Sequence, residues 1–449
     1  MRAAITIIMV IAFSVPSLFV PWVGVLAYTW FALMRPDYFS WSAGLFPYSV
    51  LIEGFVLIGA ARKLGGLPVL FQSPITTQFL LLQIPLGLSV IGAVDRQLCE
   101  PFYSDFVRMS VIVLLIPILI DSVDKLYWLF VTIVLSLGAV SFKFGLFGLR
   151  GGGVSFHEGY GGLDNNGLAL AMVMLVPFCW YFTQLSRAKW IKITAIGLVL
   201  TSIATVVMSG SRSGALSLGV CLAVITLRSR YKILTLALIA ILFLPTAYVF
   251  FDRFSERMGT IKKFDEDDSI NARLTHYRVA YQMWKDYPLL GVGFGNDNYM
   301  ALQGRYMDIS MFGRALKVHN GYLQVLVDSG VFAFLLYTSL VVSTIWMLQR
   351  SIARCHKRYP RLAGYPYAMQ AALIAYAQFS LSGGRERYEF AYIILMTAAA
   401  WLLIEKSLQL ENTTTQTQPA FETAPTASLK AGMAPSPAVP RGGQPSRVT

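Results

Sequence analysis

Lys317-Val318-His319-Asn320-Gly321-Tyr322-Leu323-Gln324 closes a long polar stretch and opens an apolar one. His319 stands at the junction, with Asn320 placed as N-cap of the helix that follows. The positive end of a helix dipole disfavours an imidazolium, and so does any nearby arginine. A histidine held neutral at pH 7 can accept a proton, as a general base must. Lone histidines in membrane proteins more often pack or hydrogen-bond; the junction sets this one apart. Arg212 is the second candidate, in the tight turn Ser209-Gly210-Ser211-Arg212-Ser213-Gly214. A guanidinium there either snorkels and marks topology or holds a phosphate bidentately. Arg273 and Arg278 are the third pair of candidates. On a helix they lie about 140° apart, so they cannot both face one ligand directly, and one is functional while the other is structural. Arg273 precedes Tyr277 by one helical turn, on the aromatic face.

Other chemistry is weakly signalled. Asp265-Glu266-Asp267-Asp268 is a consecutive run without ligand spacing and reads as a solvated loop. No HExxH-like frame surrounds His157-Glu158 or His276. Gly291-Val292-Gly293-Phe294-Gly295 is not GxGxxG and follows no strand, so it reads as a flexible turn and not as a dinucleotide site. No Walker sequence and no GxSxG elbow occurs. Cys99, Cys179, Cys221 and Cys355 have no paired spacing, so neither a disulfide framework nor a metal site is expected. The sequence thus implies no cofactor and no metal. Glu53 lies within an apolar run, where acids are functional by default, but has no partner evident in the sequence.

The elements that must position these residues are membrane helices. Of the 449 residues, 55% are apolar and 14% charged, where a soluble protein carries about 25% charged. Apolar runs lie at about 4–34, 47–61, 75–94, 105–120, 124–143, 165–185, 190–208, 213–228, 231–250, 320–347, 364–382 and 388–405. Lipid leaves only helices for such runs, and the expectation is an all-α polytopic membrane protein of about 12 spans. The first stretch, counted once, is broken by Pro16 and Pro21 and reads as one kinked span or two half-helices; it resembles a signal peptide without a cleavage site and is taken as a retained anchor. The formal charge of +13 does not point to nucleic acid, because the basic residues cluster in short loops. Arg62 and Lys63; Lys125; Arg187, Lys189 and Lys192; Arg228, Arg230 and Lys232; and Arg350 to Arg361 mark alternate loops as cytoplasmic. With a single N-terminal span, both ends are cytoplasmic. The intervening connections are external, and the short ones read as otherwise poor in Lys and Arg.

Five regions result: an N-terminal membrane region 1–164, helices 165–250 with the Arg212 turn, an external loop 251–319, C-terminal helices 320–405, and a disordered cytoplasmic tail 406–449. The glycine-rich connection 144–164 ends in N-cap residues. Within the long loop, residues 271–287 read as a helix with Tyr277, Tyr281 and Trp284 in one stripe, ended by Pro288.

Taken together, Ser209 to Gly214, Ala272-Arg273-Leu274, Asp286 to Asn296 and His319-Asn320-Gly321-Tyr322-Leu323-Gln324 resemble the bacterial O-antigen ligase and polymerase superfamily, over roughly residues 165–405. Pro21 to Leu26, Met34-Arg35-Pro36, Lys143 to Phe147 and Asp164-Asn165-Asn166 resemble the N-terminal region of ligases of the exosortase-associated O-glycosylation type, although that branch shows Asn-Pro-His where this chain has Arg35-Pro36-Asp37. The resemblance implies a GT-C-like fold in the bacterial inner membrane, with the active site facing the periplasm. It implies metal-independent, inverting transfer of O-antigen glycan from undecaprenyl pyrophosphate to a lipid A–core sugar. His319 would be the base, and Arg212 with Arg273 or Arg278 would bind the pyrophosphate. The same motifs serve glycan polymerases and protein O-oligosaccharyltransferases. A transporter or flippase would place functional charges at mid-membrane and repeat its halves, and neither pattern is present. A non-catalytic scaffold is the remaining class.

Overall fold

Backbone groups in lipid are satisfied only within a closed element, so long apolar runs become helices. The computed structural model describes residues 2–40, 46–149, 163–186, 188–229, 232–233, 236–237, 268–308 and 316–417; every regular element among them is helical. They begin with α1 (Arg2–Ser14), α2 (Pro21–Met34), α3 (Pro36–Phe39) and α4 (Tyr48–Ala60). α5 (Pro74–Ile91), α6 (Arg96–Leu114), α7 (Ile116–Leu119), α8 (Val123–Leu149), α9 (Asn165–Leu185), α10 (Lys189–Ser209) and α11 (Arg212–Arg228) follow. α12 (Asp268–Asp286) and α13 (Asp297–Leu302) belong to the long connection, and α14 (Gly321–Arg358), α15 (Gly364–Phe379) and α16 (Glu389–Thr417) come last. The chain divides into a unit Met1–Ser407 and a unit Leu408–Thr449.

Seven stretches are long and apolar enough to cross a membrane: α5, α6 with α7, α8, α9, α10, α14 and α16; the bent pair Tyr48–Lys63 and Gly65–Gln72 makes an eighth if counted as one span. This is an all-α polytopic membrane protein. The expected count of about 12 is not reached by this measure among the described residues. α11 has 17 residues and α15 has 16, and most of 231–250 lies outside the described residues. α15 is buried along nearly its whole length, which fits a helix that is apolar all round and meets protein on every side.

Residues 4–34, counted once in that tally, fold as two short antiparallel helices. Thr6 Oγ1 donates to Ser40 Oγ at 2.6 Å, the Phe13 and Trp30 rings lie 4.6 Å apart, and a Cβ on Gly24 would stand 2.8 Å from Ser17 Cβ. Only a hairpin pairs the sequence that way. The start of α1 therefore lies at the bundle end that carries Arg35, where a single span would have put it beside Arg62. The final helix also differs from expectation: it runs to Thr417, past the anticipated tail start at 406, because no helix breaker occurs before Pro419. Residues 418–449 and the connection 150–162, with His157-Glu158, lie outside the described residues, as does most of the acidic run, Asp265 to Asp267.

The two ends of the bundle differ in chemistry. Arg62, Lys63 and Lys125 line one shared cavity, as loops on one side must. Beyond the far end of α5, Val94 N–H donates to Val292 O at 3.0 Å and Asp95 N–H to Asn298 Oδ1 at 3.0 Å, which fixes the long connection to the opposite side.

Gly291 to Asn296 is not a flexible turn. All six residues are buried, and the segment runs along a break in α14. Gly330 has φ 78° and ψ −178°, a conformation essentially confined to glycine, which interrupts the helix and frees carbonyls. Val292 N–H and Gly293 N–H take the carbonyls of Val327 and Asp328, both at 2.9 Å, and Val331 N–H returns to Pro288 O at 3.0 Å. Asp328 accepts from Asn296 N–H at 3.1 Å and from Gln324 Nε2 at 2.8 Å. The start of α14 is thus a half-helix, roofed by α12 and α13 through Val279, Met283, Tyr299, Val318 and Val327.

Candidate active site

His319 lies immediately before that half-helix, in left-handed backbone conformation with φ 55°. Asn320 caps α14 as its sequence position implied, its Oδ1 accepting from Leu323 N–H at 3.0 Å. The segment is pinned on several sides. Gln303, fully buried, brackets Leu316, accepting from its N–H at 3.2 Å and donating to its carbonyl. Gly321 N–H donates to Ser380 O at 2.8 Å and Asn320 Nδ2 to Leu381 O at 3.1 Å. Tyr277 Oη lies 3.4 Å from both His319 O and Leu381 O.

The Arg212 turn reaches the same place. Gly210 at φ 62° ends α10, and Ser211 caps α11 through Gly214 N–H at 3.0 Å, which makes Arg212 the first residue of α11. Ser211 Oγ donates to Asn166 Oδ1 at 2.6 Å, and Ser213 and Ser382 hydroxyls meet at 2.9 Å. The turn 380–382 therefore joins the neighbours of Arg212, the neighbours of His319 and the loop helix α12. Within α12, Arg273 is half-buried and Arg278 exposed. The stripe is divided in the same way: Tyr277 packs inward, while Tyr281 is exposed and lies 5.6 Å from Trp284.

Electrostatics at the junction favour a neutral imidazole. Burial first, then the positive charge of Arg273, bring His319 down to about 4, against partial opposition from Asp164. Asp164 caps α9, accepting from Gly167 N–H at 2.8 Å. Burial pushes its carboxyl up, but Arg385 and the Gly167 N–H outweigh that and hold it below the ordinary carboxylate range.

Sequence reasoning missed the turn 383–389. Arg385 pairs with Asp164. Arg387 lies 3.6 Å from Glu386 Oε1 and its guanidinium 4.5 Å from the Phe102 ring centroid. Arg35, which marked a departure from the ligase branch, pairs with Asp37 at 3.0 Å. This side of the bundle is therefore not poor in arginine; each of these arginines faces a carboxylate, close in sequence for Arg35 and Arg387 and 221 residues away for Arg385. The density of charge in Arg385-Glu386-Arg387-Tyr388-Glu389, between two apolar runs, was the available signal. Glu53, partnerless in sequence, has its Oε2 3.8 Å from Arg108 Nε.

Arginines and a neutral histidine at one end of the bundle are what transfer from a phosphate-activated donor needs. Residues 197–338 match the family model described as O-antigen ligase. The matched region contains Arg212, Arg273, Arg278 and His319, and it ends within α14 beyond the Gly330 break. Asp164, Arg385 and Glu386 lie outside it. Over 197 residues the chain is 29% identical to the teichuronic acid biosynthesis protein TuaE of Bacillus subtilis (strain 168), covering 41% of this chain and 40% of that protein. The chain thus matches about two fifths of the length of this curated relative.

Proposed function

We propose that this chain is an O-antigen ligase, a glycosyltransferase that moves glycan from undecaprenyl pyrophosphate to a lipid A–core sugar at the periplasmic face of the inner membrane. The observation that carries this is the neutral His319 held at a helix start beside Arg273, with Arg212 brought to the same turn. An acceptor hydroxyl oxygen attacks the anomeric carbon of the donor from the face opposite the pyrophosphate. The anomeric C–O bond breaks, the hydroxyl proton passes to the His319 imidazole, and undecaprenyl pyrophosphate leaves. Arg212 and Arg273 meet the charge that develops on the leaving group. Two lipid-borne substrates held at one membrane surface are already oriented, which supplies much of the rate. An imidazole at about 4 is a weak base at pH 7; a pyrophosphate seated by Arg273 offsets the charge that depresses it and raises its basicity toward the useful range.

The test is purified wild type and His319→Ala, each given a lipid-linked O-antigen donor and lipid A–core in the presence of EDTA. Glycosylated lipid A–core from wild type, absent with the variant, is expected. A variant as active as wild type removes His319 as base. Lengthening of the donor glycan with lipid A–core untouched would make the enzyme a polymerase, the second reading, which the family's shared motifs and a relative named for teichuronic acid biosynthesis keep in play.

A further inference from the structure

Past Gly384, the turn 383–389 borders a cavity of about 350 Å³, within the range of ~300–1,000 Å³ that takes small ligands. Residues of α2, α6, α8, α9 and α16, with Arg35, Leu163, Asn296 and Lys317, supply the rest of its wall. The wall is polar and most of its charges are met, Asp105 by Arg108 and Glu389 by the Tyr28 hydroxyl, while Lys317 adds one cation. Arg35 faces Asp37, Arg385 faces Asp164 and Arg387 faces Glu386. A site for a phosphate keeps cationic charge in hand for its ligand; guanidiniums already matched by carboxylates offer N–H donors with little net field. Phe102, Phe106 and Tyr388 add aromatic side chains to the lining. Donors, acceptors and rings around a nearly neutral space recognise a polyhydroxylated ligand.

Glu386 identifies where such a ligand is held. It lines the cavity and is 7% exposed. Oε1 is turned to Arg387, but Oε2 finds no hydrogen-bond donor among the described residues. A buried carboxylate oxygen without a donor is destabilising and calls for an explanation, and a ligand hydroxyl supplies the missing donor. The oxygen is also close to the reaction centre. A Cβ on Gly384 would stand 3.8 Å from Glu386 Oε2 and 3.7 Å from His319 Cα, so one small residue separates the two.

We propose that this cavity is a saccharide subsite in which Glu386 accepts a hydrogen bond from one hydroxyl of the acceptor sugar, presenting a neighbouring hydroxyl to His319. The subsite rests on the transfer reaction proposed above for its assignment to the acceptor. Two variants of the full-length protein in nanodiscs test it. Glu386→Gln changes the acceptor group at nearly constant shape. Gly384→Ala places a methyl at ordinary contact distance, so it fits the fold while filling the gap. With lipid-linked O-antigen donor and lipid A–core as substrates, both variants are expected to melt like wild type. Acceptor KM should rise at least tenfold and donor KM should stay within twofold. Saturation-transfer NMR with deacylated core oligosaccharide gives a readout free of turnover, a signal with wild type that is lost in both variants. A rise in donor KM instead would assign the cavity to the donor glycan and overturn the acceptor assignment. Unchanged KM values in folded variants would remove the subsite altogether. If wild type transfers no glycan, the reaction fails but the NMR still decides the cavity: loss of signal in both variants sustains a saccharide site, and an unaltered or absent signal overturns it.

Discussion

Arg385 and Asp164, 221 residues apart in sequence, form an ion pair that ties the turn beside His319 to the N-terminus of α9. Gly167 makes room for it: a Cβ there would stand 2.8 Å from the guanidinium carbon. Asparagine caps helices about as well as aspartate, so Asp164→Asn keeps the cap and removes only the charge. The pair is partly exposed, and such pairs contribute about 0–1 kcal/mol, so the melting temperature of Asp164→Asn should stay close to that of wild type. The charge that opposes the lowering of His319 is gone, however, so the imidazole becomes a still weaker base. Activity at pH 7 should fall severalfold at unchanged fold, measured as kcat/KM alongside a thermal melt.

The pH profile separates the two influences on His319. A base held at about 4, against an ordinary value of 6.5, is deprotonated at every pH above about 5. The acid limb of kcat/KM for wild type should therefore lie near pH 4, with a plateau through pH 7. Arg273→Gln removes the second of the causes that lower it, so the imidazole takes up its proton at higher pH and the limb moves toward 6.5. A limb that stays in place in Arg273→Gln would mean that the arginine does not act on the histidine.

The two loop-helix arginines predict opposite outcomes. Arg273 is half-buried and acts on His319, while Arg278 is exposed. If Arg273 stabilises the leaving pyrophosphate, Arg273→Ala should reduce kcat/KM by about 10²–10³, the effect of removing one preorganised charge partner from a transition state. Arg278→Ala should remain within about twofold of wild type. Equal losses in the two variants would place Arg278 in the site as well.

What could be read from the sequence was local. The capping roles of Asn320 and Asp164, the Arg212 turn and the helix ending at Pro288 follow from residues within a turn of each other, and the structure keeps each of them. Pairings across the chain could not be read. Arg385 with Asp164, Arg387 against the Phe102 ring, and Glu53 with Arg108 depend on which helices become neighbours, and no spacing encodes that. The N-terminal hairpin was masked because two short apolar helices and one kinked long one have the same composition. Gly330 was hidden for a similar reason: a lone glycine in an apolar run is tolerated within a helix, and its partner segment, Gly291 to Gly295, lies some forty residues upstream.

That break supplies the sharpest test of the fold. At Gly330 the backbone adopts φ 78°, and a Cβ would fall 2.0 Å from Leu289 O. Neither the strain nor the clash can be relieved without parting the segment 288–296 from α14, and that would release the hydrogen bonds of Val292, Gly293 and Val331. Gly330→Ala should therefore destabilise the protein by more than about 3 kcal/mol and lower its melting temperature sharply, or prevent recovery of folded protein. Gly197, in the middle of α10, is the control. A Cβ there meets nothing within 4 Å, so Gly197→Ala should melt at or slightly above the wild-type temperature, as a helix-interior glycine gains up to about 1 kcal/mol on becoming alanine. Since the half-helix ahead of Gly330 carries Asn320 and positions His319, any Gly330→Ala protein that does fold should lose transfer activity as well. A folded and fully active Gly330→Ala would mean that α14 continues unbroken through this point.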